Sequence, residues 1–168
     1  TTWSCEPERA PAYEGGVRVP LIVRWPGLVK AGSRTEVPVI TMDFYPTLLE
    51  AAGVPLAPGQ HVDGVSLLPL LRGTGTLPRR SLYWHYPHYH PGGVTPYSAV
   101  RNGDYRLVEF FEDQRVELYD LRKDPEEKQD LAAAMPEKAR ELREELAEWR
   151  KQVGAQLPTP NPDYVPPQ

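Results

Sequence analysis

The sequence predicts an α/β fold: the last strand and helices of a large sheet, then a small antiparallel sheet packed against a long C-terminal helix. Three observations predict it. In the first half of the chain, an apolar run of strand length precedes a helical pattern. Four short strand patterns separated by turn signals follow. Near the end, apolar residues recur at steps of three and four, which is the period of a helix that covers a sheet.

The first half contains one predicted strand and one predicted helix. Residues 17–25 are apolar and rich in β-branched side chains, and a Pro-Gly pair ends this run. Residues 41–52 have apolar residues at helical spacing, with Thr41 as the cap and Gly53 as the stop. Residues 64–73 are interrupted by proline and predict only a helical turn or two.

The second half predicts a small antiparallel sheet. Its strands are predicted at residues 81–86, 97–102, 105–111 and 115–121. Asn102-Gly103 is a strong hairpin signal because both residue types tolerate positive φ. Residues 112–114 form a second tight connection.

A long helix is predicted from Pro136 to Gly154, after a helical turn that starts at Asp124-Pro125. Its apolar stripe consists of Ala139, Leu142, Leu146, Trp149 and Val153. The other faces carry mixed acidic and basic residues, which is typical of a solvated surface. The helix is therefore expected to cover the sheet rather than to bind a membrane or a partner helix.

These patterns divide the 168 residues into three parts. Residues 1–75 form the C-terminal end of the larger α/β domain, residues 76–156 form the subdomain with the sheet and long helix, and residues 157–168 form a Pro-rich extended tail. The 20 prolines mostly mark turns between elements, and only the tail is continuously Pro-rich.

Composition excludes several classes of partner and site. The net charge of -4 gives no support for a nucleic acid or an anionic membrane as partner. No apolar run is long enough for a membrane span, and the first residues do not resemble a signal peptide. Because the chain does not begin with Met, we expect its natural N-terminus to be missing, which leaves the compartment undetermined. A single cysteine, Cys5, excludes an internal disulfide and a zinc site with several thiolates.

Several ordered segments carry a resemblance to a known family. They are Tyr13-Glu14-Gly15-Gly16-Val17-Arg18-Val19-Pro20 with Trp25-Pro26-Gly27, then residues 43–49, 63–71, 100–107, 118–121 with Asp124-Pro125, and 158–164. Together they resemble the C-terminal portion of the sulfatases, arylsulfatase-like enzymes of the alkaline-phosphatase superfamily. The resemblance implies that the predicted large sheet is the alkaline-phosphatase-like one. Most of the residues in these segments suit turns, strand ends and caps, so they specify architecture first.

The resemblance also implies a function for the parent protein. Sulfatases hydrolyse aryl or carbohydrate sulfate esters with a formylglycine, made from Cys or Ser, and a calcium-type divalent cation held by Asp and Asn. Both are expected in an N-terminal part of the same sulfatase, which this chain would need as a partner, so the isolated chain is expected to be inactive. The family resemblance is consistent with a periplasmic or secreted parent, while the sequence itself leaves the compartment undetermined.

Two residues near the start of the chain are candidates for the chemistry. The family has a sulfate-contacting Lys four residues before the Tyr of the Tyr-Glu-Gly-Gly segment, and Arg9 occupies that position here. A guanidinium can bind sulfate in a forked geometry, although Arg9 is equally consistent with a surface residue of a loop. Cys5, in Cys5-Glu6-Pro7-Glu8-Arg9, matches the core of the formylglycine signature only weakly.

A loop rich in histidine and aromatic residues is the candidate substrate contact. It contains Trp84, His85, His88 and His90. In an extended segment, alternation puts His88 and His90 on one face and His85 on the other. The resemblance places this loop near the mouth of the active site. A metal site and plain aromatic packing with exposed histidines are the alternatives, and no metal ligand is assigned.

Two other functions remain open. A phosphodiesterase or phosphonate hydrolase of the same superfamily would share the sheet and the metal-site plan. A non-catalytic module that binds sulfated glycans would use the aromatic and histidine loop. Whatever the function, absence of the layer that the N-terminal part of the parent would supply is expected to expose apolar surface around Leu21, Ile22 and Val23. This exposure predicts self-association of the fragment.

Overall fold

The computed structural model describes residues 12–79, 81–89, 93–159 and 161–163. The chain forms two compact units. Unit 1 consists of Thr1–Val19 and Ser81–Gln168, and unit 2 consists of Pro20–Arg80. The division at residues 75 and 156 that the sequence suggests stays a prediction.

Unit 1 is built on a four-stranded antiparallel sheet in which every strand pairs with its neighbour in sequence. The strands are β1 (Ser81–Tyr86), β2 (Tyr97–Asn102), β3 (Tyr105–Phe110) and β4 (Val116–Asp120). The predicted small antiparallel sheet is confirmed, and the predicted bounds differ from the observed ones by no more than one residue at any strand end.

Short turns join β2 to β3 and β3 to β4. Asn102 stays in β2 opposite Tyr105, so the turn of the predicted hairpin consists of Gly103 and Asp104. Gly103 has a φ of 60°, a conformation that glycine adopts without steric cost. In the connection between β3 and β4, Gln114 has a φ of 57° and provides the change of direction that the sequence predicts there.

Helix α4 (Pro136–Gln152) covers one face of the sheet, as the periodicity predicts. The core beneath it contains the fully buried side chains of Val100, Leu107, Leu118, Leu142 and Leu146. The ring of Trp149 stacks on that of Tyr83, with 4.7 Å between ring centroids. Val153, the last residue of the predicted stripe, lies beyond the helix and is exposed.

The opposite face of the sheet is covered by the N-terminal segment (residues 12–17), which includes helix α1 (Glu14–Val17). Its core contains Ala12, Tyr13, Val94, Tyr97, Ala99, Val108, Phe110, Tyr119 and Leu121. Burial of each large apolar side chain contributes roughly 1.5–3 kcal/mol. Unit 1 therefore has an apolar core on each face of its sheet.

Unit 2 contains short helices. A 3-10 turn (Thr41–Asp43) leads into α2 (Phe44–Ala51), and α3 (Leu68–Leu71) follows. The helix predicted at residues 41–52 is confirmed, but Thr41 is not its cap. The carboxylate of Asp43 instead accepts the N–H of Ile40, so it satisfies a donor at the start of the turn.

The predicted strand at residues 17–25 is not formed. Val17 ends α1, and residues 18–25 belong to no strand. A β-strand needs a neighbour to accept its backbone hydrogen bonds, and in the part of the chain that the structure describes these residues have none. The predicted exposure is confirmed: Leu21 is 46% exposed, Ile22 90% and Val23 38%.

The segment after β4 also differs from the prediction. Asp124-Pro125 lies in a series of turns rather than in a helical turn, and Glu127 has a φ of 53°. Within the described residues, no helix is both long and apolar enough to cross a membrane.

Candidate functional site

Two of the predicted substrate-binding residues, Trp84 and His85, lie on opposite faces of the sheet. Strand β1 carries Trp84 and His85 in succession, and successive side chains of a strand point to opposite faces. Trp84 packs on the core beneath the N-terminal segment, whereas the neighbouring Tyr83 packs on the core beneath α4. His85 therefore lies on the α4 face.

Trp84 has a cation next to its ring. The guanidinium carbon of Arg106 lies 4.8 Å from the ring centroid, and Arg106 is fully buried. A buried cation over an indole is a favourable arrangement because the ring face carries negative partial charge. Trp84 is only partly buried and keeps some surface for another contact.

His85 makes hydrogen bonds with both ring nitrogens. Its Nε2 lies 2.8 Å from the carbonyl oxygen of Gln156, and its Nδ1 lies 2.7 Å from Oγ of Ser98. A carbonyl oxygen only accepts, so Nε2 carries a proton and donates to Gln156. The ring also contacts Phe111 edge to face. The bond to Gln156 attaches the residue before the tail to β1, and the role of His85 in substrate binding stays a prediction.

His88 lies just beyond β1 and is exposed. Its ring centroid is 5.6 Å from that of Tyr86, on the side that alternation predicts. His90, Arg9 and Cys5 fall outside the described residues, and their predicted roles stay predictions.

A buried ion network joins the N-terminal segment to the sheet. The carboxylate of Glu14 accepts hydrogen bonds from Arg106 at 2.8 Å and from Arg101 at 3.1 Å. Arg106 also donates to the carbonyl oxygen of Ala12 at 2.7 Å. The N–H of Glu14 donates to Glu127 at 2.6 Å. Four charged side chains from three parts of unit 1 therefore meet in one largely buried network.

Glu127 is the member of this network with a raised pKa and an unsatisfied carboxylate oxygen. Burial raises its pKa, and the positive charge of Arg106 opposes the rise without cancelling it. Oε1 of Glu127 and Nε of Arg106 lie 3.4 Å apart, and neither atom makes a hydrogen bond. The pair gains charge attraction but leaves one donor and one acceptor unsatisfied.

Sequence reasoning missed this network, although its members lie in or next to the segments that carry the family resemblance. Glu14 is the acidic residue of Tyr13-Glu14-Gly15-Gly16, and Arg101 and Arg106 flank the Asn-Gly turn. These motifs are thus joined by charge as well as placed by turns. In unit 2, Gly64 of another such segment has a steric role, because a Cβ there would overlap the backbone of Met42.

In unit 2, Asp43 is the corresponding polar centre. It is fully buried and accepts hydrogen bonds from the N–H groups of Ile40 and Val65 and from Arg79, the last at 2.5 and 2.9 Å. Burial alone would raise its pKa, but the bonds from Arg79 and the two N–H groups outweigh burial and lower it.

The described residues do not fit a divalent cation. No group of three or more His, Cys, Asp or Glu side chains among them could hold a metal ion. The buried carboxylates Glu14, Asp43, Glu109 and Glu117 are each paired with arginine. A hard cation needs several free oxygen ligands at one point, which this arrangement does not offer.

A cleft of about 310 Å³ lies on the α4 side of unit 1. Its lining includes Phe111, Gln114, Arg143, Arg150, Leu157 and Pro158. There, the carboxylate of Glu109 in β3 accepts a hydrogen bond from Nε of Arg143 at 2.7 Å. It accepts a second from a terminal nitrogen of Arg150 at 2.6 Å. The guanidinium of Arg150 lies 5.4 Å from the ring centroid of Phe111. The sequence did not predict this cleft, because Arg143 and Arg150 fit the pattern of a solvated helix face.

Comparison with known proteins gives a consistent result. Residues 8–152 match the family described as N-sulphoglucosamine sulphohydrolase, C-terminal. The chain is 35% identical to an N-acetylglucosamine-6-O-sulfatase of Bacteroides thetaiotaomicron, over 83% of this chain and 26% of that protein. It is 38% identical to human arylsulfatase A, over 79% of this chain and 30% of that protein.

A solved structure of a protein bound to D-glucosamine-2-N,6-O-disulfate has a similar fold. It superposes with a TM-score of 0.72 at 35% identity, over 84% of this chain and 30% of that one. The chain thus spans between about a quarter and a third of the length of the proteins that it matches.

Proposed function

The chain belongs to the sulfatase family, and from that premise we propose that its parent protein hydrolyses sulfate esters of carbohydrates. The match over residues 8–152 carries the proposal, because that range includes Trp84, the ion network and both faces of the sheet. The relative named for N-acetylglucosamine-6-O-sulfate and the structure with a disulfated glucosamine support a sugar as the substrate. The human arylsulfatase A relative makes aryl sulfates the second candidate.

The proposal divides the work between this chain and the rest of the parent. The formylglycine nucleophile is assigned to the remaining part because Cys5 matches its signature only weakly. A calcium-type cation is assigned there because the carboxylates described here are already paired with arginines. When bound, such a cation would stabilise charge on the sulfate oxygens. This chain would complete the fold and hold the loop after β1 at the substrate.

Trp84 and His88 are the residues with which this chain would bind substrate. Trp84 presents a partly exposed ring whose position is fixed by Arg106, and an indole face suits the apolar face of a sugar ring. His88 is exposed at the end of β1, so its ring can donate a hydrogen bond to a hydroxyl or sulfate oxygen. Both groups would orient substrate and transfer no proton.

The proposal can be tested with the full-length parent protein and with this chain alone. Released sulfate is measured with N-acetylglucosamine 6-sulfate and 4-nitrophenyl sulfate as substrates, and released 4-nitrophenol is measured with the phosphate diester bis(4-nitrophenyl) phosphate. We expect the parent to prefer the sugar sulfate and this chain to release none. Preference for the phosphate would favour the phosphodiesterase alternative. Turnover by the isolated chain would contradict the assignment of the nucleophile to another part of the parent.

A pair of histidine variants tests the substrate contact. His88→Ala in the parent should raise KM about tenfold with little change in kcat, since it removes a binding group and no reacting group. His61→Ala is the matched control, because His61 is an exposed histidine whose ring contacts Asp63. Equal effects of the two substitutions would rule out a specific contact at His88. Binding of a sulfated sugar by this chain, without hydrolysis by the parent, would favour the glycan-binding module.

A further inference from the structure

We propose that the cleft between α4, the β3–β4 turn and the tail binds the anionic group of a carbohydrate, a sulfate or a carboxylate, at a place distinct from the Trp84 face. The juxtaposition of Arg143, Arg150 and Phe111 carries the proposal. These two arginines lie seven residues apart on α4, two helical turns, so they share one face of the helix.

The charge in the cleft favours an anion. Two guanidinium groups are paired with the single carboxylate of Glu109, which leaves one positive charge in excess. Glu109 is buried, and its bonds fix the orientation of both guanidinium groups. Preorganised donors bind a ligand without a further loss of side-chain entropy.

Donor groups remain available on both arginines. Arg143 uses Nε for Glu109, and neither of its terminal nitrogens makes a hydrogen bond to any residue that the structure describes. Arg150 uses one terminal nitrogen for Glu109. Its Nε and its other terminal nitrogen make no hydrogen bond to any residue that the structure describes. A sulfate or carboxylate presents the oxygens that such forked donors bind best.

The other walls suit a sugar ring. Phe111 offers an aromatic surface beside the arginines, and Leu157 and Pro158 add apolar lining. His85 holds this lining through its hydrogen bond to the carbonyl oxygen of Gln156. A cleft of about 310 Å³ is at the lower end of the range for small-molecule sites, which suits one monosaccharide. His85 is therefore a positioning residue for this cleft.

The test compares three ligands that share one hexose ring. Glucose 6-sulfate, glucuronate and glucose are titrated into the full chain while the Nε–H NMR signals of the arginines are followed. We expect both anions to shift the Arg143 and Arg150 signals saturably, and glucose to bind at least about tenfold more weakly. Equal binding of glucose, or no saturation up to about 50 mM, would overturn the proposal. Inorganic sulfate that binds as tightly as glucose 6-sulfate would overturn the assignment to a sugar.

Variants of α4 separate binding from stability. Arg143→Gln should weaken binding of glucose 6-sulfate about tenfold. Arg140→Gln removes the same charge from the same helix, at an exposed residue paired with Glu137, and should change binding less than about twofold. If Arg143→Gln fails to fold, Arg143→Lys keeps the charge, loses the fork and should still weaken binding. Equal losses at residues 140 and 143 would show non-specific attraction and contradict the proposal.

The inference rests on the proposed function only in its choice of sugars as ligands. Because the experiment measures binding at Arg143 and Arg150, whereas the proposed function is measured as sulfate release, each can fail without the other.

Discussion

The two units of this chain solve the problem of burial differently. Unit 1 buries apolar side chains on both faces of its sheet. Unit 2 buries few, and it leaves ten large apolar side chains exposed: Leu21, Ile22, Val23, Val37, Met42, Phe44, Tyr45, Leu48, Val54 and Leu56. Its polar centre is the buried carboxylate of Asp43, which accepts hydrogen bonds from Arg79 and two backbone N–H groups.

This difference shows that one polar centre can define a local conformation without an apolar core. Hydrogen bonds fix the backbone around Asp43, but each contributes little net free energy compared with apolar burial. Unit 1 should therefore be stable by itself, whereas unit 2 should depend on a surface that covers its apolar residues. The limited share of its relatives' length that the chain spans is consistent with such a surface in the parent.

The largest effect is expected from Arg106→Ala in unit 1. The substitution leaves Glu14 and Glu127 buried without their shared cation, and breaking a buried charge pair in this way costs roughly 3–5 kcal/mol. Urea unfolding measures the loss. Arg140→Ala, at an exposed pair on α4, should change stability by less than about 0.5 kcal/mol. Similar values for both variants would show that the network does not hold unit 1 together.

Asp43→Ala is the corresponding test in unit 2. It removes the acceptor of two backbone N–H groups and leaves Arg79 unpaired, which should cost roughly 3 kcal/mol of local stability. Hydrogen exchange should accelerate at the amides of Ile40 and Val65 and remain unchanged in β2 and β3. Acceleration spread equally over both units would contradict their energetic independence.

Acid should affect the two polar centres in opposite directions. The lowered pKa of Asp43 means that its contribution is complete above its ordinary value of 3.8 and is lost as the pH falls through the folded value. The raised pKa of Glu127 means a penalty at neutral pH that is relieved as the pH falls through the folded value towards 4.5.

Unfolding measured from pH 7 to pH 3 on Asp43→Asn, Glu127→Gln and the unchanged chain can detect both effects. The stability advantage of Glu127→Gln over the unchanged chain should shrink as the pH falls to about 4.5, since the wild-type carboxyl becomes neutral. The disadvantage of Asp43→Asn should shrink only below about pH 4. An advantage of Glu127→Gln that grows in acid would contradict the raised pKa.

The smallest effect on stability is expected from Ile22→Ser, and it concerns association. Ile22 is 90% exposed, so the substitution should change unfolding by less than about 0.5 kcal/mol. It should lower self-association of the chain, measured by sedimentation velocity, because it removes apolar surface from unit 2. Val153→Ser, at a residue of unit 1 that is 53% exposed, serves as the matched control. A chain that is strictly monomeric at high concentration would contradict the expected association.

The sequence predicted unit 1 well because its structure depends on local patterns. Strand alternation, the Asn102-Gly103 signal and the stripe of α4 each occupy a few consecutive turns or residues. The strand expected at residues 17–25 failed because pairing depends on a neighbouring strand, which an apolar run does not specify.

The ion network and the cleft were not predicted, and the reason is physical. Glu14 and Arg106 are 92 residues apart in sequence, and no local periodicity indicates that two such charges will meet in a core. Trp84 and His85 were expected to act together, but adjacent residues of a strand face opposite ways. Arg143 and Arg150 looked like part of a solvated face because their partner, Glu109, lies on a strand far away in sequence.

The N-terminal segment has a consequence for the order in which unit 1 can form during synthesis. The backbone N–H of Glu14 bonds the side chain of Glu127, which is made 113 residues later. Each strand, in contrast, pairs with the next strand in sequence. A ribosome adds roughly 5–20 residues each second, so this bond can form only about 6 to 23 seconds after Glu14 is added. Ala12 and Tyr13 can reach their buried positions only after the strands that share their core have been made.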